Sequence, residues 1–148
     1  MKHLAPYALL LLVCLHSANV FSQNNSKPKQ FSIFPDVINC TETELNKVFT
    51  SSAGQSISLT FSDNFTFAGN VTAKMAKYSN LQSVNIQSPV FNNTIFNISR
   101  RTNDDNTTSY IGLIINRDYF DGYELRKSAN GNYQLIKIET DRLIQVCK

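Results

Sequence analysis

The stretch SISLTFSDNFTF, residues 56–67, decides the fold class. Ile57, Leu59 and Phe61 alternate with Ser58, Thr60 and Ser62, and the alternation resumes after Asp63-Asn64 with Phe65 and Phe67. A period of two puts apolar side chains on one face of an extended chain and polar ones on the other. Two half-buried strands joined by a tight turn are therefore predicted.

The same period continues downstream. Val71, Ala73 and Met75 extend the second strand, with Gly69 at an inward position that suits a bulge or bend. Leu81 to Gln87 carries Val84 and Ile86 inward, and Thr94 to Arg100 carries Phe96 and Ile98. Tyr110 to Ile115 is apolar on both faces, which predicts the most buried strand. Tyr123 to Lys127 and Tyr133 to Ile138 flank Asn130-Gly131, a dipeptide whose tolerance of positive φ makes it the strongest short-range hairpin signal. Thr140 to Val146 fits a short helix or an edge strand.

Upstream, the period changes. Thr41 and Glu44 form a capping-box pattern, and Leu45, Val48 and Phe49 fall on one helical face. One helix is expected from Glu42 to Thr50, stopped at Gly54. Phe31 to Phe34 reads as a short strand ended by Pro35, and residues 23–30 as a disordered polar lead-in. The expected fold is mainly β. It is a single antiparallel meander of about seven or eight strands, curved or closed into a small barrel, with one short N-terminal helix. A two-sheet sandwich is the alternative. Residues 31–148 form one domain.

The first 22 residues read as a secretory signal peptide. Lys2 and His3 precede an apolar run from Leu4 to Leu15, and Val20-Phe21-Ser22 fits a cut before Gln23. The run is shorter than the roughly 20 residues that span a bilayer, and no transmembrane segment is expected after it. Cys14 stands where a lipoprotein box would put its cysteine, but Val13 before it is not small. The expected location is secreted, periplasmic or extracellular.

Removing the leader changes the chemistry available. The mature chain keeps 126 of the 148 residues, with no His, no Trp, two cysteines, and a net charge of +2 from 13 basic and 11 acidic residues. That balance does not favour nucleic acid. Without histidine there is no Ser-His-Asp or Cys-His arrangement, and two cysteines do not close a zinc site. No metal, no cofactor and no catalytic motif is expected. Cys40 and Cys147 are expected to form a disulfide in an oxidising compartment.

The candidate site is the connection from Asn116 to Glu124. It gathers Arg117, Asp118, Tyr119, Asp121 and Glu124, a mixture of aromatics and charge that suits a sugar or a basic peptide on a loop. The plainer reading is a turn at Asp121-Gly122 with the rings packed into the core. Phe61, Phe65 and Phe67 would line a ligand cavity or simply fill the core. Arg100-Arg101 would meet an acidic partner or be solvated. Seven Asn-x-Ser/Thr sequons occur, at Asn24, Asn39, Asn64, Asn70, Asn92, Asn97 and Asn106. They are acceptor sites in a glycosylating pathway, or the by-product of an Asn/Ser/Thr-rich outer strand face. The leading functional expectation is a non-catalytic exported module that binds a protein or glycan through loops or a sheet edge. A small-ligand carrier and a carboxylate-based hydrolase are the alternatives.

Overall fold

The structure is a computed structural model that describes residues 27–140. The expected leader, Cys14, Asn24, Cys147 and the segment after Thr140 lie outside the described residues. Eight strands follow in chain order: β1 (Val37–Cys40), β2 (Ser56–Ser62), β3 (Phe65–Tyr78), β4 (Leu81–Ser88), β5 (Thr94–Thr102), β6 (Thr108–Ile115), β7 (Asp121–Lys127) and β8 (Tyr133–Glu139). The helix α1 (Glu42–Thr50) stands between β1 and β2. All eight strands form one antiparallel sheet in the order β1-β8-β7-β6-β5-β4-β3-β2. The sheet curls into a nearly closed barrel, with β1 and β2 approaching across the seam. The sandwich alternative is thereby set aside.

The alternation read from residues 56–67 orders the core. Leu59, Phe61, Phe65, Phe67, Val71, Val84, Ile86, Phe96 and Ile98 are buried, and the polar residues Thr60, Thr66, Asn70 and Asn97 that alternate with them face out. Rings fill one end of the barrel: Phe65 lies 5.0 Å from Phe34, 5.9 Å from Phe91 and 5.4 Å from Tyr123, centroid to centroid. The other end is closed by α1. Its N-cap is Thr41, whose hydroxyl accepts from Glu44 N–H at 3.3 Å, a cap that contributes about 1 kcal/mol. Glu44 does not reach back to Thr41; its carboxylate accepts from Thr60 N–H at 3.2 Å and pairs with Lys47. Leu45, Val48 and Phe49 bury the inner face of the helix. The Arg100 guanidinium lies 4.7 Å from the Phe49 ring and donates to Asn46 and Gln82. Arg100 is thus a roof support, and Arg101 is exposed.

Three expectations need correction. Phe31–Phe34 is a turn rather than a strand, closed by Phe34 N–H to Phe31 C=O at 3.1 Å. Its two rings both pack on Phe65, which a strand would forbid for positions three apart. The first strand is instead Val37–Cys40, too short to show a period. Strand β6 is not the most buried, because its outward Ile111 is 66 % exposed. The β7–β8 hairpin forms between the expected strands: its loop is closed by Ser128 N–H to Asn132 C=O, and Gly131 takes positive φ, at 88°. Gly69 marks close packing rather than a bulge: a Cβ there would stand 2.5 Å from the Gln87 carbonyl oxygen, while the register shift falls between Val71 and Ala73.

Candidate functional site

The Asn116–Glu124 segment divides into an anchored loop and the start of β7. Asn116 shapes the loop: its Oδ1 accepts from Asp118 N–H at 3.0 Å, and its Nδ2 donates to Asn92 C=O at 2.9 Å. Asx turns of this kind mimic a backbone turn and fix the next two residues. Tyr119 is half-buried and its hydroxyl accepts from Asn92 Nδ2, so the ring ties two loops together. Phe120 donates its N–H to Pro28 C=O at 2.9 Å and carries Lys29 Nζ at 5.9 Å from its ring centroid. Arg117 and Asp118 are exposed at the tip.

Asp121 is 2 % exposed and does not share that surface. Its Oδ1 accepts from Gln30 N–H at 2.6 Å and its Oδ2 from Phe31 N–H at 2.9 Å. The buried carboxylate is satisfied by backbone amides, the usual condition for burying such a group. It clasps the incoming chain to β7, so Lys27–Gln30, the last part of the expected lead-in, is held in place. Gln30 also donates its side-chain amide to Phe91 C=O at 2.8 Å. Burial raises the neighbouring Tyr123 hydroxyl above its usual pKa, with Asp121 and Asp36 adding to the effect. That hydroxyl donates to Pro35 C=O at 2.7 Å and closes the same clasp.

Glu124 points the other way along the strand, onto the outer face of the barrel, where it pairs with Arg126 at 2.5 Å. Of the five candidate residues, Arg117, Asp118 and Tyr119 form the loop, Asp121 is internal, and Glu124 belongs to a different surface. That surface is apolar at its centre. Ile95 pairs with Ile115, Asn97 with Leu113 and Ser99 with Ile111, and Leu113 pairs in turn with Glu124. Ile95 is 43 % exposed. A cleft of about 640 Å³ lies here, lined by Ile111, Leu113, Glu124 and Arg126 among others.

Comparison of the chain with protein-family models, curated proteins and solved structures finds no match. The chemistry is therefore read from the residues alone. Among the described residues no group of three or more His, Cys, Asp or Glu side chains could hold a metal ion. No described helix is long and apolar enough to cross a membrane. Cys40 faces the core, and burial pushes its thiol up to about 12, against a weaker opposing hydrogen bond from the Leu135 backbone. That environment is unsuited to a nucleophile.

The outward isoleucines are visible in the sequence, and Ile95 and Ile111 are exposed. A strand apolar on both faces signals either double burial or an uncovered sticky face, and the structure selects the second. All six described sequon asparagines are exposed. Asn39, Asn70 and Asn97 face out by strand alternation, while Asn92 and Asn106 occupy turns at φ 48° and 61°.

Proposed function

We propose that this chain is an exported, non-catalytic interaction module that holds a protein partner against the outer face of β5, β6 and β7. The observation that carries the reading is the uncovered apolar patch of Ile95, Ile111 and Leu113, bounded by Asn97, Ser99 and the Glu124–Arg126 pair. An apolar centre with a polar rim is the anatomy of a protein interface. The leader sequence supports export. Export in turn favours the Cys40–Cys147 bond, since oxidising compartments pair even cysteines. The Arg117–Asp118 tip is the secondary contact candidate.

The two rival readings lack such support. The rings of Phe31, Phe65, Phe67, Phe91 and Phe96 occupy the space a carrier would keep for a ligand. For a hydrolase, Asp121 has both oxygens committed to backbone amides and Glu124 is paired with Arg126. The test is cross-linking and capture from the exported fraction with the wild-type protein and with Ile111→Asp. The partner should be recovered with the first and lost with the second, at unchanged melting temperature. Equal recovery with both proteins overturns the assignment of this face.

A further inference from the structure

Strand β3 is 14 residues long, and β2 covers only its first part. The β2–β3 register ends at Ser56 and Asn70, and two further bonds tie Val71 to Gly54 and Gln55. From Thr72 onward β3 has β4 on one side and, among the described residues, no strand on the other. Lys74, Met75, Ala76, Lys77 and Tyr78 are all exposed, so neither face of this end is covered. Such an edge presents unpaired N–H and C=O groups to any chain that approaches it.

Two bulges frame the open edge, one between Val71 and Ala73 and one between Ala76 and Tyr78. The second brings Met75 and Tyr78 onto one face, opposite Ser83 and Leu81 of β4. These two side chains are 56 % and 70 % exposed. Lysines often guard free edges, but Lys74 is turned back into the protein. Its ammonium donates to Phe49 C=O at 2.6 Å and to Ser51 C=O at 3.1 Å, at the C-terminal end of α1. Lys77 remains at the edge. From Asn64 to Asn103 the chain carries Lys74, Lys77, Arg100 and Arg101 and no acidic residue. The region therefore presents a positive field to an incoming strand.

We propose that the β3 edge from Lys74 to Tyr78 takes up an extended acidic segment of a partner protein as an added strand. Main-chain hydrogen bonds supply the binding, Met75 and Tyr78 meet alternate apolar side chains, and the basic field selects carboxylates between them. A second copy fits less well, because two-fold pairing centred between Met75 and Ala76 sets lysine against lysine. The edge lies on the far side of β4 from the β5–β7 face, so either surface can fail without the other.

The experiment is amide hydrogen exchange by NMR on the exported protein, with and without a synthetic peptide that alternates Glu with Val. Exchange should slow about tenfold or more at amides within Lys74–Tyr78. Unchanged exchange there, or protection at Ile111 instead, overturns the proposal. A peptide with Lys in place of Glu should not protect these amides, and equal protection overturns the acidic preference. A peptide of the same charge with Pro at the apolar positions cannot pair as a strand. Protection by that peptide means that charge alone binds, and overturns strand addition. Lys77→Glu should weaken binding of the Glu-Val peptide about tenfold at unchanged melting temperature, and unchanged affinity overturns the charge assignment. A peptide-free dimer by sedimentation, with the same amides protected, places a second copy at the edge and also overturns the proposal.

Discussion

At the scale of single residues, two carboxylates three positions apart have unrelated roles. Asp118 is exposed at a loop tip, whereas Asp121 accepts two backbone N–H bonds inside the protein. Asp121→Asn keeps the shape but sets an NH₂ against an amide donor, so one buried donor loses its acceptor. It should cost about 1–3 kcal/mol in denaturant unfolding. Asp118→Asn should stay within about ±0.5 kcal/mol. Equal effects would show that Asp121 is not a clasp. The sequence could not separate the two, because the amides that Asp121 binds lie 91 and 90 residues away. Cys40 gives a pH signature. In the reduced protein its folded pKa is raised from 9.0 to about 12, so the fold holds a proton that the unfolded chain releases first. The resulting stabilisation is full below about pH 9 and fades as pH rises toward 12. Reduced wild type should therefore lose more stability than Cys40→Ala between pH 8 and pH 10.5. Parallel losses in the two proteins would contradict the burial of the thiol.

At the scale of elements, the strands with clean alternation and the capped helix were legible because their signals are local. Thr41, Leu45, Val48 and Phe49 announce α1, and Ile57 to Phe67 announces the β2–β3 hairpin. What was illegible depended on distant partners. The Phe31–Phe34 turn exists because two rings must reach Phe65, and β1 exists because β8 offers it an edge. Glycines divide in the same way. Gly131 needs only its positive φ and has open space around it, so Gly131→Ala should cost about 1–2 kcal/mol. Gly122→Ala should cost more, since its Cβ would drive into the Ile114 carbonyl oxygen, which is backbone and cannot step aside. Thermal melting of the two variants should rank them in that order. The expected disulfide also belongs to this scale. Cys40 pairs with Tyr133, six strand residues or about 20 Å from Glu139. Cys147 is seven residues beyond Thr140, an extended reach of about 23–25 Å. The chain beyond Thr140 is therefore long enough to bring Cys147 to Cys40. Titration of the unfolded, unreduced exported protein should find no free thiol, and two free thiols would remove the bond.

At the scale of the whole molecule, the barrel carries two separable surfaces, and the sequence pointed to only one of them. The loop tip of Arg117 and Asp118 was conspicuous as a cluster of charge. The outer face of β5–β7 was hidden in a strand that looked doubly buried. A double-variant comparison assigns the partner between them. Arg117→Ala with Asp118→Ala changes two exposed side chains and leaves Asn116, which shapes the loop, in place. Ile95→Ser with Ile111→Ser makes the apolar face polar without touching the inward Phe96, Tyr110 or Ile114. Neither pair should move stability by more than about 1 kcal/mol, because surface substitutions away from special features stay within about 0.5 kcal/mol each. Capture of a protein partner should survive the loop pair and fall at least tenfold with the strand pair, which corresponds to about 1.4 kcal/mol of binding. Asn97 supplies an internal check, since it sits beside Leu113 and faces out. In a glycosylating expression route a glycan on Asn97 should block capture, and Asn97→Gln should restore it. If capture follows the loop pair instead, and a glycan at Asn97 changes nothing, the partner belongs to the Arg117–Asp118 tip and the β5–β7 face serves some other contact.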